Sequence, residues 1–295
     1  MMKTGIKAGL CILLILCTSN FVLAKGVSAK DVTGYLVTLA KPANRLVVLA
    51  PSPVEVLYEI GAGDKIVAAV DYTDYPAAAK KLPRVGNAFS ISLDAVVRYQ
   101  PDLVVAWKSQ AQDKVVERLR ELGIPVYLTN PAKLEDVAQD MVSLGKLTGK
   151  QSIANKIAAQ YRSRLNTLRK HYAYRKPIRV FLQLNESPIF TVNDKNFLGQ
   201  VIQICGGRNV FGQATASAPQ VSLEAVIRAA PQAIFGTLLQ RLDMWLSWPM
   251  IPAVANKALY SLPDDTISRP GPRLPEGIEV FCKKMDEARQ KLLTK

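Results

Sequence analysis

The sequence predicts an α/β protein of two parallel-sheet lobes, each of the three-layer αβα type, joined by a single long connecting helix that serves as a helical backbone. Three observations carry this reading. The first is an internal repeat. The segment from Ser92 through Asp94, Arg98 and Pro101 to Val105 returns 130 residues later as Ser222 through Glu224, Arg228 and Pro231 to Phe235, with Ser, Leu, Ala, Val, Arg and Pro at matching positions. Each copy reads as a Ser N-cap, a carboxylate in the first turn, a short amphipathic helix, a stopping Pro and an apolar run of strand length. The second is alternation. Apolar runs rich in β-branched residues at 46–50, 66–70, 103–107, 126–129, 180–184 and 233–237 are separated by helical patterns or turn residues, which implies parallel sheets. The third is a stretch from 149 to 176 in which Ile153, Ile157, Tyr161, Leu165 and Leu168 recur at helical spacing, with no Pro before Pro177.

Taken in order, residues 1–24 read as a secretory signal peptide. Lys3 and Lys7 precede an apolar run at 8–16, and Val22-Leu23-Ala24 has the small-residue pattern of a cleavage site. That run is too short to span a bilayer. A lipid anchor on Cys17 is disfavoured by the bulky Leu16 before it. Residues 25–43 are an N-terminal extension and 44–148 the first lobe, where Gly61-Ala62-Gly63-Asp64 reads as a helix-ending turn rather than a phosphate loop. Residues 149–176 are the connecting helix, which at roughly 25 residues would reach nearly 40 Å, a stiff strut rather than a hinge. Residues 177–295 are the second lobe. Within it, 263–275 is dense in Pro, Gly, Asp and Arg and is expected as an ordered surface loop, while Trp245 and Trp248 are expected to pack against helices.

Charge and cysteines bound the function. The formal charge of +14 falls to +12 once the two lysines of the signal peptide leave. The basic residues are scattered, with no aromatic-interleaved patch, so nucleic acid is not an expected partner. The densest basic cluster, from Arg162 to Arg179, reads as the solvated side of the connecting helix. Cys11 and Cys17 depart with the signal peptide, leaving the even pair Cys205 and Cys282 in an oxidising setting, where a disulfide is expected. A nucleophilic Cys205 lacks a partner. His171 is the only histidine, which argues against a zinc or manganese carrier and against a hydrolytic triad.

Ligands of open parallel sheets collect beyond the carboxyl ends of the strands. Those positions hold Pro51-Ser52-Pro53, the segment from Asp71 to Pro76, Trp107-Lys108, and from the second lobe Asn185-Glu186 and the loop from Asp265 to Arg273. Aromatic faces with a few polar handles suit a large, flat, partly polar ligand. Each has a structural alternative: Tyr75 before Pro76 is a turn residue, and Trp107 at a strand end is a core aromatic.

Several of these segments carry a resemblance. Val70-Asp71-Tyr72-Thr73-Asp74-Tyr75-Pro76, the run from Pro101 to Trp107, Arg179-Val180-Phe181-Leu182-Gln183, the run from Cys205 to Phe211, and Pro219-Gln220-Val221-Ser222 together resemble the periplasmic vitamin B12 (cobalamin)-binding proteins of ABC importers. Substrate-binding proteins of this type have two lobes joined by one long helix and also serve siderophores and haem. The resemblance implies that Tyr72 and Trp107 from the first lobe, and Asp265 and Arg269 from the second, contact the ligand; Pro51, at a strand end, and Phe89, beside the place of a family tryptophan, are expected to join them. It implies a disulfide between Cys205 and Cys282, in agreement with the cysteine count. It further implies that Asp94 and Glu224 dock onto arginines of the ABC permease. The same two acids are explained without a partner by the helix dipole.

Two departures stand out. Where the family has tryptophans this chain has Ala88 followed by Phe89, and Ala218 before Pro219. The lost indoles remove stacking area, so the pocket is wider or the cargo different. The expected function is capture of cobalamin or a related corrinoid in the periplasm and its delivery to the permease by a monomer, without chemistry and without a catalytic cofactor. Haem or a ferric siderophore is the alternative cargo, favoured by the missing indoles and by Lys108, Arg269 and Arg273.

Overall fold

A computed structural model of the chain describes residues 26–87, 90–237, 241–262 and 265–293. The expected signal peptide and the expected ligand contact Phe89 lie outside the described residues. Residues 26–43, read from sequence only as an extension, form an antiparallel hairpin of β1 (Val27–Lys30) and β2 (Leu36–Leu39). Ala29, Val37 and Leu39 alternate into the core, and the hairpin turn bonds to the first lobe through the Val32 N–H and the Leu128 carbonyl at 3.1 Å. The alternation is period two, as a half-buried hairpin requires.

The first lobe follows as β3 (Leu46–Val48), α1 (Pro51–Glu59), β4 (Ile66–Ala69), α2 (Leu93–Arg98), β5 (Leu103–Trp107), α3 (Gln110–Glu121), β6 (Val126–Thr129) and α4 (Leu134–Leu147). Its sheet order is β4-β3-β5-β6, with every pair parallel. Helices cover both faces, which is why β3 and most of β5 are apolar without alternation.

The chain then turns at Gly149, whose φ of +71° suits a residue without Cβ, into α5 (Gln151–Tyr172). Its 22 residues span about 33 Å at 1.5 Å per residue. The buried stripe is Ala154, Ala158, Tyr161, Leu165 and Tyr172. The expected stripe is therefore shifted at its start: Ile153 is exposed, and Ile157 and Leu168 are only partly buried. The reason is close helix packing. A Cβ on Gly145 of α4 would lie 2.2 Å from the Cβ of Ala154, so only small residues fit where α4 and α5 cross.

The second lobe comprises β7 (Ile178–Gln183), the small hairpin β8 (Asn185–Glu186) and β9 (Ile189–Phe190), α6 (Phe197–Ile204), β10 (Gly207–Asn209), α7 (Leu223–Ala229), β11 (Ala233–Gly236), α8 (Pro252–Ala255), β12 (Leu259–Ser261) and α9 (Leu274–Leu293). Its sheet order is β10-β7-β11-β12, again all parallel. Numbered within each lobe, both sheets have the order second-first-third-fourth, and the sequence repeat falls on the same helix and strand of each, α2-β5 and α7-β11. Ser92 and Ser222 cap those helices alike, each Oγ accepting the N–H of the third residue on at 3.2 Å.

Cys205 and Cys282 are joined in a disulfide that ties the end of α6 to α9. Trp245 lies on a short 3-10 turn, wholly buried, edge-on to Phe181 and donating its indole N–H to Gln183 at 2.7 Å. Trp248 packs partly buried in the same cluster. The loop before α9 is not the surface loop expected. Thr266 and Ile267 are buried, and the side chains of Arg269 and Arg273 reach across to the first lobe.

Candidate functional site

In both sheets the strand order reverses between the first and third strands, and such switch points are where open α/β sheets hold ligands. In the first lobe this point lies between the ends of β3 and β5. A cavity of about 420 Å³ opens there, lined by Ala50, Pro51, Ser52, Trp107, Ser109, Ala111 and Gln112 from the first lobe and by Phe197, Ser268, Arg269 and Pro270 from the second. Of the site residues expected from sequence, Pro51, Trp107 and Arg269 are brought together on its wall.

Each is positioned by its local fold. Pro51 opens α1, where a residue lacking an N–H costs no hydrogen bond. Trp107 ends β5, its backbone N–H donating to Gln112 Oε1 at 3.0 Å, while Gln112 Nε2 donates to the Leu49 carbonyl at 2.9 Å. That buried amide stitches the ends of β3 and β5 together behind the indole. Neither Gln112 nor Phe197 was marked by sequence: a polar residue on an amphipathic helix and an aromatic after an Asn cap carry no signal without the sheet ends they face.

Tyr72 is 79% exposed, in a left-handed backbone conformation of φ 61°. Arg84 holds its loop by donating to the Val70 and Thr73 carbonyls at 3.1 and 2.8 Å. The Tyr72 ring thus stands free on the rim while its carbonyl accepts from Arg269 at 3.2 Å. Tyr75, read from sequence as part of a ligand-facing segment or else as a turn residue, lies under the Arg273 guanidinium at 3.8 Å. Asp265 pairs with Arg269 at 2.8 Å on the second-lobe side. Asn185 and Glu186 form the small hairpin and do not line the cavity.

The electrostatics centre on a residue that sequence reading missed. Glu55, on α1, is 3% exposed and accepts two hydrogen bonds from Arg273, at 2.9 and 2.7 Å, with Arg269 at 3.5 Å. Arg269 also meets Asp74 at 2.6 Å. Burial pushes the Asp74 carboxyl up, but the hydrogen bond and charge of Arg269 outweigh it and hold the group below its ordinary value. In sequence Glu55 reads as one more acid on a helix. Lys108, the third cation near the cleft, pairs with Asp113 at 2.6 Å. The strongly raised carboxyl, Asp140, lies behind the first sheet with Tyr127 and Thr129 and away from the cavity.

Asp94 and Glu224 occupy the first turns of α2 and α7, both exposed. The Glu224 carboxyl is held below its usual range by its own backbone N–H and by Ser222. Helices packed on a parallel sheet run against the strands, so these N-termini face the cleft side, one on each lobe. Among the described residues no cluster of three His, Cys, Asp or Glu could hold a metal ion, and no helix is long and apolar enough to cross a membrane.

Comparison with known proteins agrees with this architecture. Residues 46–266 match the family model described as periplasmic binding protein. The vitamin B12-binding protein of Vibrio campbellii is 37% identical over 253 residues, 85% of this chain and 92% of that protein. The crystal structure of the periplasmic vitamin B12-binding protein BtuF of Vibrio cholerae superposes with a TM-score of 0.77 at 35% identity, covering 84% of this chain and 98% of that one. The periplasmic heme-binding protein RhuT from Roseiflexus shares the fold, with a TM-score of 0.74 at 21% identity over 83% of this chain and 99% of its own. The chain belongs to the periplasmic binding protein family.

Proposed function

We propose that this chain captures cobalamin or a related corrinoid between its lobes and delivers it to an ABC-type permease. The observation that carries the reading is the composition of the cleft: an aromatic and apolar cavity at a reversal of strand order, beside which Arg269, Arg273 and Lys108 each already have an acidic partner. A large, flat, amide-bearing cargo suits such walls, whereas the carboxylates of haem or of an acidic siderophore need an uncommitted cation. The vitamin B12-binding relatives support the same choice. In this reading Pro51, Tyr72, Phe89 and Trp107 meet the cargo from one side and Asp265 and Arg269 from the other. Residues 1–24 direct export to the periplasm, the lobes span 44–148 and 177–295, and the protein works as a monomer that binds and releases without catalysis. Asp94 and Glu224 are its contacts with the permease.

The test is calorimetric titration of the protein lacking residues 1–24 with cyanocobalamin, haemin and a ferric hydroxamate. Cyanocobalamin should bind saturably and quench tryptophan fluorescence, and Trp107→Ala should weaken it about five-fold or more, since aromatic contacts are commonly worth about 1 kcal/mol beyond burial. Tighter binding of haemin or the hydroxamate would overturn the assignment, and an unchanged affinity in the variant would remove Trp107 from the site.

A further inference from the structure

Glu55 is a carboxylate almost wholly removed from water, and such a group persists only when countercharge and hydrogen bonds surround it. Its partners come from the other lobe. Arg273 grips both oxygens with its planar fork, at 2.9 and 2.7 Å, and is backed by the Tyr75 ring. Arg269, the one charged residue on the cavity wall among the described residues, lies at 3.5 Å from the same carboxylate and is further paired with Asp74 and Asp265. Glu55 follows Pro51 by four residues, so it sits one turn below the helix start that lines the cavity. In this cluster three acids face two arginines. The balance is one negative charge, and the guanidinium at the cargo wall has none of its charge left for an incoming anion.

From this arrangement, and resting on the corrinoid reading above, we propose that Glu55 is a positioning residue that sets cargo selectivity by charge. It holds Arg269 and Arg273 neutralised, so the cleft accepts amide-bearing tetrapyrroles and rejects their carboxylate counterparts. A purely structural tie would make a different forecast, because loosening the lobes should weaken every cargo alike.

The experiment compares cyanocobalamin with its monocarboxylic acids, in which one propionamide is hydrolysed, for the wild type, Glu55→Gln and Asp74→Asn. The wild type should bind the acids about ten-fold more weakly, and Glu55→Gln should shrink that ratio about five-fold, with the gain fading as salt rises. Asp74→Asn, at a half-exposed carboxylate, should move the ratio the same way by about two-fold, and it decides the matter if circular dichroism shows Glu55→Gln unfolded. A parallel fall in both affinities, or an unmoved ratio, overturns the proposal. Haemin against its dimethyl ester reads the same discrimination without a corrinoid: the wild type should favour the ester. Failure to bind cyanocobalamin would sink the functional reading alone, whereas a preference for haemin over the ester, or binding of neither, would sink the selectivity role.

Discussion

At the scale of single residues, what the sequence reveals depends on whether a side chain acts through its own position or through a distant partner. Asp140 belongs to the second kind. Buried beneath Tyr127 and Thr129, both of which donate to it, its carboxyl is pushed up to about 6, burial being the largest cause. The unfolded chain releases this proton near pH 3.8, so between there and about pH 6 the native state holds more protons and stability falls as pH rises. Denaturant unfolding from pH 4 to 7 should slope down in the wild type and lose that component in Asp140→Asn; a carboxyl titrating below pH 4.5 by NMR would refute the account. Pro51 and Trp107 could be placed beside the cavity because strand ends and helix starts can be read along the chain, whereas Arg269 was singled out of its loop only through the resemblance. Glu55 was not, because its role is fixed by arginines more than 200 positions later, and Gln112 matters only through the carbonyl of Leu49.

At the scale of elements, the strands that could be read were those with β-branched runs, 103–107 and 126–129 among them. The short polar ones could not. Gly207-Arg208-Asn209 forms β10 only because it lies against β7, and Asn185–Glu186 pairs with Ile189–Phe190 although nothing apolar marks it. The connecting helix was legible in extent and misread at the start of its buried face, since the choice between Ile153 and Ala154 is made by how closely α4 approaches. One element-scale prediction concerns the disulfide. It closes a loop of 77 residues between α6 and α9, worth about 4 kcal/mol in the chain-entropy description. Replacing both cysteines by Ala should lower the melting temperature by several degrees while leaving cyanocobalamin affinity within about two-fold, because neither sulfur lines the cavity. A melting temperature unmoved by the change would show that packing of α9 alone secures that corner.

For the whole molecule, the repeat proved more informative than any motif, because it marked equivalent places in two sheets of the same strand order. Those places carry Asp94 and Glu224 on the cleft-facing side of each lobe. If they dock the permease, Asp94→Arg combined with Glu224→Arg should abolish uptake in cells and leave calorimetric affinity for cyanocobalamin intact; normal uptake by the double variant would leave the two acids as helix-terminal charges only. The cavity wall shows what the doubled architecture permits. Seven of its residues belong to one half and four to the other, so each half offers an incomplete grip that encloses nothing by itself. A lineage can therefore exchange one jaw while keeping its counterpart, and arrive at new cargo without rebuilding the whole vice.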